Sequence, residues 1–278
     1  MRKIIGIPAA IWYGVFFFIP LLLVVAMSFA TRGAYGRVEW TFTWMNYFTA
    51  LQPAYVSIFF NSLLMAAVTG FICIVLSFFA AWKIAAMLSS KRIFWISILM
   101  LPSISNLVIR VYATKLSFGM NGPIQWLLNV FGFDFDPFAM TANIFLVYYG
   151  LITTYLPFAL FPIYSSFEKF DFQLVEAARD LGASITQTVF KVIIPGQWPS
   201  LMAGFSLVLI PCLGEFVIPD LLGGAKEMML GNLIVENFLR ARNWPVGSAI
   251  AVSVFLVVGF STFLFIWVTR RVLGKKSS

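Results

Sequence analysis

The stretch EAARDLG at residues 176–182, followed by VIIP at residues 192–195, differs in composition from the segments around it. It carries charges of both signs, whereas the chain as a whole is 61% hydrophobic and only 11% charged. Soluble domains contain about a quarter charged residues, so a chain of this composition places much of its surface in lipid. The composition therefore predicts a polytopic membrane protein in which residues 168–195 form a loop outside the bilayer.

The residue types of this loop predict two short helices. Asp171 is suited to cap a helix whose first turns contain Glu176, and the two alanines that follow favour helix and leave a small surface. Gly182 can adopt the backbone conformation that turns the chain into a second helix. Pro195 is expected to break that second helix before the next membrane span. The alternative is an ordinary cytoplasmic linker whose charges are merely solvated.

The apolar segments predict six membrane-spanning helices, since an α-helix needs about 20 mostly apolar residues to cross a bilayer. The windows are 7–30, 58–82, 93–113, 142–165, 199–221 and 246–269. With the N-terminus inside, 12 of the 19 basic residues fall on the inner side and 7 on the outer side, as the positive-inside rule requires. Both termini and the loop 168–195 are thus predicted to be cytoplasmic, and residues 1–278 to form one transmembrane domain.

Several classes of function are disfavoured by what the sequence lacks. There is no histidine, which removes the commonest general base and metal ligand. Cys73 and Cys212 lack the spacing of a disulfide framework or a paired-cysteine metal site. There is no phosphate loop of the type GxxxxGK[ST], so we predict no ATP hydrolysis, cofactor or metal in this chain. The net charge of +8 is explained by topology and predicts no nucleic-acid partner.

The spacing Glu-Ala-Ala, three residues, Gly, nine residues and VIIP resembles the EAA loop of ABC-importer permeases, with Val192 in place of Ile and Ile194 in place of Leu. The resemblance implies an all-α fold of the type I importer permeases with six transmembrane helices. It also implies that the loop couples the chain to an ATPase. The residues so implied are Glu176, Ala177, Ala178, Arg179, Asp180, Gly182 and Pro195.

The same resemblance implies a set of partners in a bacterial inner membrane. These are a second permease subunit that completes the pore, two copies of an ABC ATPase that use ATP and Mg²⁺, and a periplasmic substrate-binding protein. A membrane-embedded hydrolase and a receptor that borrows the loop without transporting are the alternatives from other classes.

Further segments are similar to the spermidine/putrescine permeases, above all to their first permease subunit. They are LP at 101–102, NLVIRVY at 106–112, GEFVIPDLLGG at 214–224, GN at 231–232 and NWPVG at 243–247. The similarity implies a polyamine as the cargo. Permeases for iron, sulfate, opines and other small solutes such as amino acids share parts of it, so a different small solute is the alternative.

Polar side chains within the predicted spans indicate a route for a cation, because an ionisable group in lipid usually faces a cavity, a partner or a pathway. Glu215 suits an ammonium group in transit, Asp220 lies further out, and Tyr149 offers an aromatic face to a cation. Asn106 and Arg110 are expected to share one helix face at i and i+4. A pair between Arg110 and Glu215 is the alternative, and it would leave no free charge for the substrate.

Overall fold

The computed structural model of this chain describes residues 11–119, 122–132, 143–224 and 227–274, without the side chains of Ser89 and residues 261–274. The predicted cytoplasmic ends, residues 1–10 and 275–278, lie outside the described residues. The helices are α1 (Ile11–Ser28), α2 (Met45–Ala50), α3 (Pro53–Ala85), α4 (Ser89–Ile104), α5 (Leu107–Phe118), α6 (Pro123–Val130), α7 (Ile144–Phe167), α8 (Gln173–Asp180), α9 (Ile185–Leu213), α10 (Val217–Leu222), α11 (Leu230–Val235) and α12 (Trp244–Gly274). Strands β1 (Thr31–Arg32) and β2 (Val38–Glu39) pair antiparallel, with Thr31 opposite Glu39.

The described chain forms two compact units. One contains Met1–Phe59 together with Leu230–Ser278, and the other contains Phe60–Met229. The predicted loop 168–195 and all the polar residues predicted to line a cation route fall in the second unit. The single transmembrane domain over residues 1–278 stays a prediction.

Among the residues that the structure describes, four helices are long and apolar enough to cross a membrane, namely α1, α3, α7 and α9. The pair α4 and α5 is bent by more than 40° at a short break and counts as a fifth span if taken together. The first part of α12, Trp244–Phe260, is a shorter apolar helix. The chain is thus a mostly helical, multi-pass membrane protein, and each of the six predicted windows overlaps one of these segments.

The prediction of one continuous helix over residues 93–113 is wrong, because the chain breaks between α4 and α5. Asn106 has an extended backbone and caps α5, its side-chain oxygen accepting hydrogen bonds from the N–H groups of Val108 (2.9 Å) and Ile109 (3.4 Å). An asparagine that offers this bond competes with continued helix. Asn106 therefore stands outside the helix that holds Arg110, and the predicted shared helix face does not exist.

The prediction that Pro195 ends a helix is also wrong, since α9 runs continuously from Ile185 to Leu213. A π-helical turn, Val189–Ile193, lies just before the proline. Proline clashes with the carbonyl four residues earlier and gives it no hydrogen bond. That carbonyl, on Lys191, lies in the wider turn, whose bonds connect residues five apart. The π-helical turn Gly14–Phe18 precedes Pro20 in α1 in the same way.

The far end of the predicted fifth span, 199–221, is interrupted as well. Helix α9 ends at Leu213, and the short helix α10 begins only at Val217. Proline lies inside α9 at Pro211, and Gly214 follows its end. The segment between the two helices contains Glu215, which the next section describes.

Helices α3, α7 and α9 pack through small side chains. The buried residues of α3 follow one face, and they are Ser62, Met65, Ala66, Thr69, Gly70, Cys73, Ser77, Phe78, Ala81, Ile84 and Ala85. A Cβ atom on Gly204 of α9 would lie 3.2 Å from the carbonyl oxygen of Ala159 in α7. Lipid tails are as apolar as leucine, so close backbone approach and van der Waals contact hold such helices together.

In the first unit, α12 packs against α1 and α2. Asn46 of α2 is buried and donates hydrogen bonds from its side-chain amide to the carbonyl oxygens of Ser28 (2.9 Å) and Ala30 (2.7 Å). These carbonyls lie at the end of α1, where a helix has no partners of its own for its last C=O groups. The amide of Asn46 therefore fixes α2 to the end of α1.

Replacing Gly204 by leucine is expected to lower the apparent melting temperature, because the new side chain meets the Ala159 backbone, which cannot move aside as a side chain can. Overpacking of this kind costs about 1–3 kcal/mol. Thermal unfolding of the purified protein in detergent measures the effect. Gly259→Leu is the matched control, since nothing lies within 4 Å of a Cβ atom on Gly259. An equal loss in both variants would contradict the packing described here.

Candidate functional site

The loop between α7 and α9 is held by local hydrogen bonds at the start of both of its helices. At its start, the carboxylate of Asp171 accepts a hydrogen bond from the N–H of Gln173 (3.0 Å), the first residue of α8. The N-cap position is Phe172 and not Asp171 as predicted, so the side-chain bond comes from the residue before the cap. At the start of α9, Ser184 and Gln187 form a reciprocal capping box through bonds of 3.2 and 3.0 Å. The start of α9 is thus capped by side chains, and the start of α8 receives one hydrogen bond from the side chain of Asp171.

The turn between α8 and α9 depends on Gly182. This glycine has φ +82°, a conformation that a side chain disfavours. Its N–H donates to the carbonyl of Arg179 (2.9 Å), and the next N–H, of Ala183, donates to the carbonyl of Ala178 (3.0 Å). This pair of bonds is a Schellman motif, and it confirms the predicted turn.

One side of the loop is attached to the core of the second unit. Phe170, Phe172 and Val175 pack against a buried cluster drawn from α3, α7 and α9. The cluster consists of Phe78, Ala81, Ala85, Leu160, Ile163, Phe167, Ile193 and Leu201. Aromatic rings continue the attachment, with Phe167 and Phe170 at 6.2 Å and Phe170 and Phe172 at 5.5 Å between ring centroids. The loop is therefore in direct contact with a core that these three helices share.

The other side of the loop is exposed and contains both charges and apolar groups. Most of the residues predicted to contact an ATPase are exposed, namely Glu176, Ala177, Arg179, Asp180, Gly182 and Pro195. Ala178 is half-buried.

The sequence prediction did not include Leu181 and Ile185, which are 88% and 68% exposed beside these charges. Exposed apolar groups next to charges are typical of a surface that a protein partner covers. The signal available in the sequence was their position within an otherwise polar segment.

The structure surrounds Glu215 with hydrogen-bond donors. One carboxylate oxygen accepts from the N–H groups of Phe216 (3.1 Å) and Val217 (2.9 Å), at the start of α10. The other accepts from the hydroxyl of Tyr155 in α7 (2.8 Å). Glu215 is only 8% exposed, and these bonds explain how a buried carboxylate is tolerated between two helices.

Arg110 lies on the other broken span, in α5, and contacts Thr154 of α7, the residue just before Tyr155. Its guanidinium group donates to the Thr154 hydroxyl (2.9 Å) and to the carbonyl oxygen of Pro102, at the end of α4. The ion pair found within 4 Å among the described residues lies elsewhere, between Glu236 and Arg240. Arg110 and Glu215 form no ion pair within 4 Å, and each keeps its own hydrogen-bond partners. Both broken spans are therefore held to α7 at two successive residues, Thr154 and Tyr155.

The remaining residues predicted for a cation route, Asn106, Tyr149 and Asp220, each have different surroundings. Asn106 is exposed, and its side chain caps α5. Tyr149 is 41% exposed and packs edge-on against Phe118, with 5.8 Å between ring centroids. Asp220 is exposed on α10. Within the described ranges, no group of three or more Cys, Asp or Glu side chains is placed to hold a metal ion.

Comparison with known proteins gives close relatives over nearly the whole chain, although no protein-family model matches it. It is 37% identical over 267 residues to the spermidine/putrescine transport system permease protein PotB of Salmonella typhimurium, which covers 96% of this chain and 93% of that protein. PotB of Escherichia coli K12 is also 37% identical, over 95% of this chain and 96% of that protein.

The fold also has a counterpart among solved structures. A chain of a bacterial alginate ABC transporter, solved in complex with a periplasmic protein bound to alginate pentasaccharide, matches with a TM-score of 0.75. The alignment covers 98% of this chain and 94% of that chain at 18% identity. This similarity concerns the fold.

Removing the carboxylate of Glu215 is expected to destabilise the protein. In Glu215→Ala, the N–H groups at the start of α10 and the Tyr155 hydroxyl lose their acceptor, and an unsatisfied buried polar group costs about 1–3 kcal/mol. Glu215→Gln keeps an oxygen for the N–H groups and should retain most of the stability. Thermal unfolding in detergent distinguishes them, with Asp220→Ala as an exposed acidic control. Equal melting of Glu215→Ala and wild type would show that the carboxylate does not hold this break.

Proposed function

The chain belongs to the family of ABC-importer permeases that includes the spermidine/putrescine permease PotB, and we propose that it is a permease subunit of an ATP-driven importer of polyamines. Two observations support this proposal. Helix Gln173–Asp180 is exposed on one side and attached to the core on the other, and the chain is 37% identical to PotB over 96% of its length. A transport subunit needs such a surface, because ATP hydrolysis takes place in a partner.

The partner at this loop is an ABC ATPase, which binds ATP and Mg²⁺. The exposed side of α8 and the start of α9 fit a groove on that partner, with Leu181 and Ile185 as apolar contacts among the charges of Glu176 and Arg179. Because Phe170, Phe172 and Val175 attach the loop to α3, α7 and α9, a rigid movement of the ATPase shifts these helices together. Two ATPase copies serve two permeases, this chain and a second subunit.

The proposed topology has six spans in one transmembrane domain of the bacterial inner membrane, with both termini cytoplasmic. Helices α1, α3, α7 and α9 supply four spans, the broken pair α4–α5 supplies the third in chain order, and α12 supplies the last. Helix α12 has 31 residues, which at 1.5 Å per residue is long enough for a hydrocarbon core of about 30 Å. In this topology the loop 168–195 is cytoplasmic and β1–β2 is periplasmic.

The two breaks that meet α7 at Thr154 and Tyr155 are the proposed place where the cation passes. The carboxylate of Glu215 accepts hydrogen bonds from three backbone N–H groups and from the Tyr155 hydroxyl. It has no cationic partner within 4 Å among the described residues, so its negative charge remains available to an ammonium group. Arg110 provides the opposing charge that keeps the cation from binding tightly. Tyr149 offers a partly exposed ring, and Asp220 and Asn106 complete the proposed route.

In the proposed cycle, a periplasmic binding protein delivers the polyamine to the outward-open pore. ATP binding closes the ATPases and moves the loop around Glu176, which switches the pore from inward-open to outward-open. Hydrolysis resets the pore, and the cation leaves on the cytoplasmic side. Weak binding at Glu215 permits this release, whereas selection of the cargo belongs to the binding protein.

The loop surface is tested by Glu176→Arg and Gly182→Trp in the complete complex in proteoliposomes. Both variants should lose most ATP-dependent spermidine uptake, because the first reverses a charge at the ATPase contact and the second blocks the turn. Glu168→Arg and Gly132→Trp are matched controls. Glu168 is exposed outside α8, and Gly132 has φ +77° with nothing within 4 Å of a Cβ atom. Normal uptake by correctly inserted Glu176→Arg and Gly182→Trp would refute this function for the loop.

The cation route is tested by Glu215→Gln, which removes the charge and keeps an acceptor for α10. Spermidine uptake should fall about 10-fold, the effect of losing about 1.4 kcal/mol of favourable interaction with the cation in transit. ATPase activity stimulated by the loaded binding protein should change little. Glu227→Gln serves as an acidic control in the same unit. Wild-type uptake by Glu215→Gln would limit the carboxylate to its structural role, and a panel of polyamines, amino acids and iron complexes tests the cargo.

A further inference from the structure

The tip of the β1–β2 hairpin contains a residue that the fold does not use. Tyr35 is 96% exposed, and among the described residues its ring and hydroxyl have no aromatic or hydrogen-bonding partner. Its backbone lies in the left-handed region, at φ 57° and ψ 21°. This conformation is uncommon for a bulky residue. A strained residue that contributes nothing to packing points to a function outside the fold.

The tip is nevertheless held firmly in place. Tyr35 and Arg242 are the non-glycine residues with positive φ in the described part of the chain, and Gly36 brings them together. A Cβ atom on Gly36 would lie only 2.8 Å from the Cβ atom of Arg242. The guanidinium group of Arg32 donates to the carbonyl oxygen of Ala241 (2.8 Å). The hairpin therefore presents Tyr35 on a pre-organised support, which lowers the entropic cost of binding a partner.

The charge around the tip is mainly positive: three arginines surround it, and Glu39 of β2 is the acidic residue of the hairpin. The three arginines are exposed, and they are Arg32, Arg37 and Arg242. None of them forms an ion pair within 4 Å with an acidic residue that the structure describes. We define the hairpin patch as Arg32, Tyr35, Arg37 and Arg242. Tyrosine and arginine are the residue types, with tryptophan, that carry most binding energy in protein interfaces.

We propose that the hairpin patch docks an acidic surface of the soluble binding protein that delivers the cargo. This inference rests on the proposed function and on the periplasmic position that it gives the hairpin. The charge selects the partner: three guanidinium groups without an acidic partner repel a polycationic solute, so the patch is not a site for the cargo itself. The same groups form charge-assisted hydrogen bonds with carboxylates and accelerate association with an acidic protein.

The test uses the complete importer in lipid nanodiscs and spermidine-loaded binding protein as the titrant. ATPase stimulation gives the half-saturating concentration of the binding protein. Tyr35→Ala and Arg37→Glu should each raise this concentration about 10-fold, as expected for an interface residue of this type. Basal ATPase activity and maximal stimulation should stay at wild-type values. Added salt should weaken the wild type more than Arg37→Glu, because one attractive charge is already lost in the variant.

Tyr35→Gly separates docking from a structural role. Glycine relieves the left-handed strain, so the variant should melt at the wild-type temperature or above and still bind the donor as weakly as Tyr35→Ala. If Tyr35 served the fold alone, Tyr35→Gly would bind the donor like the wild type, which would overturn the proposal. Lys115→Glu is the control for charge reversal on the same predicted side, and an equal loss of affinity there would also count against the hairpin patch.

Two further outcomes assign the result. In the first, the variants have normal affinity for the binding protein in neutral phosphatidylcholine and reduced affinity only in anionic phosphatidylglycerol. In that case the patch contacts lipid headgroups, and the proposal is wrong. If the wild-type complex shows no stimulation by the loaded binding protein, the proposed function fails. Normal wild-type stimulation with unaltered affinity in all hairpin variants refutes the docking surface alone.

Discussion

A backbone N–H or C=O group placed in lipid must find a partner within the protein, because no water is available to bind it. This chain nevertheless interrupts its helices between α4 and α5 and again between α9 and α10. Each interruption leaves unpaired N–H groups at the start of the following helix. Asn106 accepts those of α5, and Glu215 accepts those of α10. The chain can break at these two places because Asn106 and Glu215 accept the backbone N–H groups that the following helices leave unpaired.

Helix α7 connects this polar region to the loop. Thr154 and Tyr155 hold the broken spans through Arg110 and Glu215. The same helix ends at Phe167, a fully buried member of the cluster to which the loop is attached. One continuous helix therefore joins the proposed cation route to the proposed ATPase contact.

The local features of the loop were predictable because each depends on residues close together in the sequence. Asp171 binds an N–H two residues away, and Gly182 satisfies a turn that closes over five residues. The same reasoning misjudged Pro195, because a proline breaks a regular α-helix but a π-helical turn accommodates it. It also misjudged the third span, where hydropathy cannot distinguish a straight helix from two helices separated by a cap. Hydropathy reports apolar content, not the path of the backbone.

The sequence by itself determined that the chain is a multi-pass membrane protein with a charged loop of the ABC-importer type, because composition and short-range spacing carry that information. The tertiary structure alone decided what the loop and the polar residues contact. It attached the segment just before EAARDLG, through Phe170, Phe172 and Val175, to a core drawn from three helices, and it left Leu181 and Ile185 exposed, which no spacing indicates. It also gave Glu215 to Tyr155 and Arg110 to Thr154, since partners from different helices depend on packing between segments far apart in the chain.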